Sequence, residues 1–215
     1  MWKLCFITAF ACSLAAGCGQ RFSTSSADDD FGPVQDFSLT ERSGRTVSRA
    51  DLLGKVWVAA FTFTRCPGPC AQISGSMARL QKECAGEDRL TLVSFTVDPE
   101  YDTPKVLQEY ADHFGADPER WLFLTGQPEK VYRLIRESFR LTVERAEGTA
   151  DAGVVHSTKL ALVDRRGRVR GYYDGTQPDD LQRLEHQIAL LAQGGLRRPP
   201  RVQTRGYTQK PGKPG

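Results

Sequence analysis

Two cysteines separated by three residues form the most reactive pattern in this sequence. Cys66 and Cys70 flank Pro67-Gly68-Pro69 and follow the β-branched and aromatic run KVWVAAFTFT, so they lie where a buried strand ends and a helix begins. Side chains at positions i and i+4 of a helix have Cβ atoms about 5–6 Å apart, close enough for two sulfurs to hold one ion. A helix N-terminus also favours the thiolate form of cysteine. Because the same spacing permits a disulfide, the pair predicts either a metal clamp or a redox switch.

A third ligand would separate these two interpretations, and His156 in GVVHSTK is the candidate. It precedes a predicted strand, where a loop residue can face the same end of the sheet as the cysteines. Two thiolates and one imidazole suit Cu(I) and can also hold Cu(II), whereas structural zinc requires four closed positions and no fourth protein ligand is evident. A single loop histidine is also commonly a surface or hydrogen-bonded residue, so the residue types alone leave both interpretations open.

The N-terminal segment MWKLCFITAFACSLAAGCGQ predicts export. One cation, Lys3, precedes an uncharged run of 13 residues from Leu4 to Ala16, which is shorter than the ~17–25 residues that span a bilayer. Small residues and Cys18 follow, which is similar to the lipobox of bacterial lipoproteins, although Ala15 replaces the usual leucine. We therefore expect residues 1–17 to be a signal peptide and Cys18 to be acylated. An ordinary cleaved signal and an uncleaved short anchor are the alternatives, and all three place the domain outside the cytoplasm.

The cysteine count and the distribution of charge along the chain indicate how it is divided into segments. Cleavage would remove Cys5 and Cys12, which leaves Cys66, Cys70 and Cys84 after acylation of Cys18. We expect residues 18–30 to be a flexible tether, residues 31–193 a single folded domain, and residues 194–215 a basic disordered tail. The tail from residue 197 onward carries six Lys or Arg and no acid, so the rest of the chain has a net charge of −3 against the total of +3. This charge argues against nucleic-acid binding by the domain.

Strands that alternate with helices predict an α/β fold. FSLTERSGRTVS predicts an N-terminal hairpin turning at Ser43-Gly44, and KLALVD with VRGYYDG predicts a second hairpin turning at Arg166-Gly167 before a last helix. A terminal hairpin and helix after a βαβ unit predict a thioredoxin-like central mixed sheet flanked by helices. Two acids in the DPEYD segment, Asp98 and Asp102, precede a helix that begins at Thr103-Pro104. They are interpreted as residues that form a turn and interact electrostatically with the N-terminus of the following helix, with an acidic rim for copper transfer or docking as the alternative.

Five blocks occur together in one order: GKVWVAAFTFTRCPGPC, FTVDPEYDTP, WLFLTG, VVHST and VDRRGRVRGYYDG. Over roughly Phe31 to Ala192 they resemble the Sco/SenC family of copper proteins, which help to build the CuA centre of cytochrome c oxidase. The resemblance implies that Cys66, Cys70 and His156 are copper ligands, that the fold is thioredoxin-like, and that the domain faces the periplasm. Ala71 and Val155 depart from the family, which commonly has proline and aspartate at these positions.

Two functions follow from these residues together with the resemblance. The first is a metallochaperone that is not an enzyme: it holds Cu(I) or Cu(II), accepts it from a donor, and passes it to an exported oxidase subunit. The second is a thiol–disulfide reductase that uses the redox-active Cys66/Cys70 pair, recharged by a thiol reductant, to keep target cysteines reduced. A peroxiredoxin is poorly supported, because the residue three places before Cys66 is Phe63 instead of threonine or serine.

Overall fold

The computed structural model describes residues 29–87, 90–142 and 157–193. The predicted signal peptide with Cys18, most of the tether, the C-terminal tail and His156 lie outside these ranges, so the predictions made for them stay predictions. Among the described residues, no helix is both long and apolar enough to cross a membrane.

Eight strands and four α-helices make up the domain. The strands are β1 (Gly32–Pro33), β2 (Ser38–Glu41), β3 (Thr46–Ser48), β4 (Val56–Thr62), β5 (Leu90–Thr96), β6 (Trp121–Thr125), β7 (Lys159–Val163) and β8 (Arg168–Asp174). The helices are α1 (Cys70–Glu83), α2 (Pro104–His113), α3 (Pro128–Phe139) and α4 (Pro178–Ala192), and a 3-10 turn covers Arg49–Leu52.

The strands form one mixed sheet in the order β1-β8-β7-β4-β5-β6-β2-β3. β4, β5 and β6 run parallel, whereas β7 pairs antiparallel with the other edge of β4. Every residue of β4 and β5 is buried, as their continuous apolar sequences predict for strands covered on both faces. Both predicted hairpins are present, and the positive φ angles of Gly44 (86°) and Gly167 (73°) explain why glycine occupies these turns. The fold is α/β and thioredoxin-like, as predicted.

Each face of the sheet has its own hydrophobic cluster. α3 covers one face, where Phe61, Phe95 and Phe139 contact one another with ring centroids 4.8–5.9 Å apart. α1, α2 and α4 cover the other face through helical stripes such as Ile73, Met77 and Leu80 of α1. Among the described residues, every member of both clusters lies between residues 31 and 191.

The loops that carry the candidate site residues meet at one end of the sheet, where the parallel strands β4 and β5 end. β4 and β5 end in register at Thr62 and Thr96, and the N–H of Val97 donates to the carbonyl of Thr62 (3.0 Å). β7 begins at this same end of the sheet, because it runs antiparallel to β4. The segments after β4 and β5 and before β7 therefore converge there.

Candidate metal centre

Cys66 and Cys70 lie at the junction between β4 and α1, as predicted. Cys66 is partly exposed in the loop after β4, whereas Cys70 is the first residue of α1 and only 6% exposed. The N–H of Gly68 donates to Sγ of Cys66 (3.4 Å), and Pro67, Gly68 and Pro69 are exposed around it. Both thiols are free. The junction thus has one accessible sulfur, that of Cys66, and one buried sulfur, that of Cys70.

Burial makes the Cys70 thiol harder to deprotonate than its position at the helix N-terminus predicts. Burial raises the pKa of Cys70 to about 12, and a hydrogen bond between its thiol and Cys66 adds to this rise. The cost of removing a thiolate from water outweighs the favourable effect of the helix N-terminus on the thiolate. The expectation that the start of the helix favours the thiolate form is therefore wrong for Cys70. Cys70 keeps its proton in the free domain at neutral pH. A cation bound to both sulfurs would have to displace this proton.

A buried carboxylate fixes the segment that leads to Cys66. Asp102 has no exposed surface and accepts hydrogen bonds from the hydroxyl of Thr64 (2.5 Å), the N–H of Thr64 (3.2 Å) and the hydroxyl of Thr96 (2.5 Å). Burial raises the pKa of Asp102, and these three hydrogen bonds act in the opposite direction. Asp102 therefore ties the loop after β4 to the end of β5, two residues before Cys66.

The neighbouring residue of this loop is fixed by a second acid. Nε of Arg65 donates to Asp98 at 2.6 Å, and the Arg65 guanidinium lies 4.7 Å from the ring centroid of Tyr101. The N–H of Asp98 in turn donates to the hydroxyl of Thr96 (3.0 Å). Asp98 is only 2% exposed, so it and Asp102 do not form the acidic rim considered from the sequence. They form turns, but their carboxylates act on the segment before Cys66.

The role of the two acids was not predicted, although the sequence contains a signal for it. Thr64-Arg65 follows β4, and the DPEYD segment follows β5, which is the parallel neighbour of β4. Because parallel neighbours end at the same edge, polar residues after each of them are expected to meet.

Hydrogen bonds from α1 hold the segment that follows His156 at the end of the sheet where Cys66 lies. The carbonyl of Thr158 accepts from the N–H of Gly175 (2.8 Å), and the hydroxyl of Ser76 on α1 donates to the carbonyl of Gly175 (2.7 Å). The side chain of Gln72 on α1 also donates to the carbonyl of Thr176 (3.2 Å). The first turns of the helix that begins with Cys70 therefore support the start of β7. His156 itself lies outside the described residues, one peptide bond before Ser157.

Cys84 lies away from the other two cysteines. It caps the C-terminal end of α1, whereas Cys70 begins this helix of 14 residues, and an α-helix rises about 1.5 Å per residue. Cys84 is buried, and burial raises its pKa to about 11. Among the described residues, no group of three or more His, Cys, Asp or Glu side chains is close enough to hold a metal. The described part of the candidate centre is thus the Cys66/Cys70 pair.

Comparison with known proteins extends these observations. Residues 25–192, which include both cysteines and His156, match the SCO1/SenC family model. A SCO1/SenC family lipoprotein from Bacillus anthracis has a similar structure, with a TM-score of 0.71, 30% identity, and 78% of this chain and 99% of that chain covered. BsSco, described as having a disulfide switch and as a member of the Sco family of cytochrome c oxidase assembly proteins, gives a TM-score of 0.68 at 30% identity over 77% and 96% of the two chains. Copper-bound ScoI from Arabidopsis thaliana gives 0.62 at 25% identity over 74% and 99%.

Proposed function

Because this chain belongs to the SCO1/SenC family, we propose that it binds one copper ion through Cys66, Cys70 and His156 and transfers it to an exported subunit during assembly of cytochrome c oxidase. The observation that carries this proposal is the meeting of two free thiols at the junction of β4 and α1, beside the start of β7. The receiving site would be the CuA centre. Copper is the cargo of this protein, and the protein needs no catalytic residue for this role.

The donor set suits copper. Two thiolates and an imidazole match the preference of Cu(I) for soft ligands and also accept Cu(II). A copper-bound structure is known for a relative from Arabidopsis thaliana, which supports the same cargo here. Binding would release the proton that burial keeps on Cys70, so copper uptake by the free domain is coupled to proton release.

The unequal exposure of the two sulfurs suggests an order of transfer. Cys66 is accessible among exposed Pro67, Gly68 and Pro69, whereas Cys70 is covered. An incoming ligand from the receiving subunit can reach the copper beside Cys66, so we infer that the bond to Cys66 is exchanged first and the bond to Cys70 last. Asp102 and Asp98 act as positioning residues, because they hold Thr64 and Arg65 and so define where Cys66 lies.

The same unequal exposure favours one alternative, a thiol–disulfide reductase. The Cys66 thiolate would attack a target disulfide and release one target thiolate, and Cys70, once deprotonated, would then attack the mixed disulfide at Cys66. The target leaves with two thiols while Cys66 and Cys70 become a disulfide, so each turnover requires an external thiol reductant. The disulfide switch described for BsSco is consistent with such a pair.

We further propose that the domain is exported and anchored to the membrane through acylated Cys18, facing the periplasm. The sequence from Lys3 to Cys18 supports this location, and one structural neighbour is described as a lipoprotein. The domain that contains Cys66 would then lie on the side of the membrane where an exported oxidase subunit receives its copper.

Substitution of His156 separates the two functions. His156→Ala should weaken copper binding, most for Cu(II), because two thiolates alone suit Cu(II) less well than Cu(I). Formation of the Cys66–Cys70 disulfide should be largely retained, because dithiol exchange uses only the two sulfurs. The experiment titrates parent and variant with both copper states and measures the redox potential of the pair, with His186→Ala on α4 as the matched control. Equal copper affinity in parent and His156→Ala would exclude His156 as a ligand and leave the reductase as the better function.

A further inference from the structure

Two hydroxyl groups lie one helical turn after Cys70, on the buried side of α1. Cys70 and Ser74 are four residues apart on this helix, and both side chains are buried. The hydroxyl of Ser74 forms a hydrogen bond of 3.0 Å with the hydroxyl of Tyr110 on α2. Contacts with the rings of Phe114 and Phe123, whose centroids lie 5.0 and 6.3 Å from that of Tyr110, hold the tyrosine in place. The hydroxyl pair therefore joins the first turns of α1 to α2.

The geometry of the helix directs the Ser74 hydroxyl toward Cys70. Side chains four residues apart on a helix have Cβ atoms about 5–6 Å apart. Each Cα–Cβ bond also tilts toward the helix N-terminus, so Ser74 leans back toward Cys70. Burial raises the pKa of Tyr110 to about 12, and although the hydrogen bond with Ser74 lowers it, the nearby sulfurs of Cys70 and Cys66 add to the rise. The Tyr110 hydroxyl is thus close to both sulfurs and keeps its proton at neutral pH.

The two hydroxyls carry two protons but share only one hydrogen bond. Each hydroxyl can donate once and can also accept. Across the part of the chain that the structure describes, neither Ser74 nor Tyr110 has another side-chain hydrogen-bond partner. A phenol is the better donor of the two, so Tyr110 donates to Ser74 and the O–H of Ser74 remains. A buried donor without an acceptor costs free energy, and the sulfur of Cys70 is an acceptor on the same face of α1.

We propose that Tyr110 and Ser74 form a hydrogen-bond relay to the copper-binding sulfur of Cys70. The Tyr110 O–H donates to Oγ of Ser74, and the Ser74 O–H donates to Sγ of Cys70 once copper has replaced the proton of this thiol. Both roles rest on the proposed function, in which Cys70 is a copper ligand. Ser74 contacts the ligand itself, whereas Tyr110 is a positioning residue that acts through Ser74.

The relay affects both the strength of copper binding and the favoured copper state. A buried thiolate is costly without a donor, so the bond from Ser74 strengthens copper binding as a whole. The same bond draws negative charge away from the sulfur, which disfavours Cu(II), the more highly charged ion, relative to Cu(I). Hydrogen bonding around a cysteine sulfur tunes the potential of copper sites in this way. The relay therefore favours Cu(I), whereas His156 is expected to matter most for Cu(II).

Three variants remove the relay: Tyr110→Phe, Ser74→Ala and the double variant with both changes. The double variant leaves neither hydroxyl without its partner, and removal of both partners of a hydrogen bond is nearly neutral for stability. The matched control is Tyr172→Phe, because Tyr172 is also half-buried and its hydroxyl donates to the carbonyl of Phe139 (2.8 Å) on the other face of the sheet. Each reduced protein is titrated with Cu(I) and with Cu(II), the Cu(II)/Cu(I) potential is measured, and urea unfolding reports on stability.

Each single variant should weaken Cu(I) binding on the order of tenfold. Cu(II) binding should weaken less, so the Cu(II)/Cu(I) potential should become more negative. The double variant should lose no more than the larger single loss, because the two hydroxyls act in one chain, and Tyr172→Phe should match the parent.

Four results would overturn the relay: the parent's Cu(I) affinity in the single variants, equal weakening of both copper states, full addition of the two losses in the double variant, or an equal loss in Tyr172→Phe. Ser74 donating to the backbone carbonyl of Cys70 instead would give the first of these results. A parent protein that binds no copper would refute the proposed function and the relay with it. The two failures are therefore distinguishable, because only the second appears in the parent protein.

Discussion

Asp102 and Thr64 are joined by two hydrogen bonds across 38 residues of sequence, one to the Thr64 hydroxyl at 2.5 Å and one to its N–H at 3.2 Å. This pair fixes the backbone two residues before Cys66. It links the end of β4 to the segment that follows β5, so the geometry of the thiol pair depends on a carboxylate that touches neither sulfur in any described hydrogen bond.

Asp102→Asn should therefore disturb the thiol pair, although both cysteines remain in place. The amide would place a donor against the hydroxyl or N–H groups that now donate to the carboxylate, which costs about 1–3 kcal/mol for each buried group left without a partner. We expect a lower free energy of unfolding in urea, weaker copper binding and a shifted Cys66–Cys70 redox potential. Asp112→Asn, at an exposed position of α2, is the control. A destabilised Asp102→Asn protein with the parent's copper affinity and potential would show that Asp102 supports the fold alone.

Copper stoichiometry distinguishes the three cysteines of the described domain. Cys66→Ser or Cys70→Ser should abolish tight binding of one copper, because each removes one of only two sulfurs at the junction. Cys84→Ser should leave the stoichiometry at one, because Cys84 lies at the other end of α1, away from the other two sulfurs. Titration of the reduced protein followed by metal analysis measures this. Two coppers per chain, or loss of binding in Cys84→Ser, would contradict the proposed site.

The predicted anchor has its own test in the first cysteine after the apolar segment. Cys18→Ser removes the thiol that acylation requires, so the protein should remain unprocessed or be released in soluble form. Membrane fractionation and mass spectrometry of the N-terminus measure the two outcomes, with Cys12→Ser as the control inside the predicted signal peptide. Membrane retention of a processed Cys18→Ser protein would show that acylation of this residue is not the anchor.

A carboxylate pair between α1 and α4 predicts how stability depends on pH. Arg79 lies 2.9 Å from Glu83 and 3.2 Å from Glu185, and burial together with the neighbouring Glu83 raises the pKa of Glu185 from 4.5 to about 7. Since the folded state favours protonated Glu185, its stabilising effect is complete below pH 4.5 and is lost as pH rises through about 7.

Glu185→Gln should remove this dependence, because the amide stays neutral throughout. The variant should be more stable than the parent above pH 7 and similar to it below pH 4.5. Urea unfolding over this range measures the effect, and Glu109→Gln, an exposed position of α2, is the control. A parent and variant with parallel stability curves would show that Glu185 titrates normally in the folded protein.

The sequence predicts local structure well where one pattern dominates. The buried runs of β4 and β5, the apolar stripes of the helices and the glycine turns at Gly44 and Gly167 all occur as expected. The pairing of β1 with β8 and of β2 with β6 was not predicted, because the partners are far apart in sequence and these short strands carry no periodic signal.

The sequence predicted the position of the Cys66/Cys70 pair but not the high pKa of Cys70. The spacing of Cys66 and Cys70 places them at the start of a helix, which was correct. The high pKa of Cys70 could not be predicted, because it depends on how deeply packing buries the first residue of α1. The roles of Asp98 and Asp102 also depend on tertiary contacts, with Arg65 and Thr64 respectively, across two strands.

The insertion of β7 between β4 and β8 has a consequence for the order in which the site is completed. β4 and α1 supply both cysteines early in the chain, whereas β7 follows about 90 residues later and must add to the bare edge of β4. A chain that folds from its amino end would therefore form the junction that holds the thiol pair before the strand that follows His156 can dock. Until β7 docks against β4, the Cys66/Cys70 pair would lack the segment that carries the third proposed ligand, so the proposed metal site would be completed only late in folding.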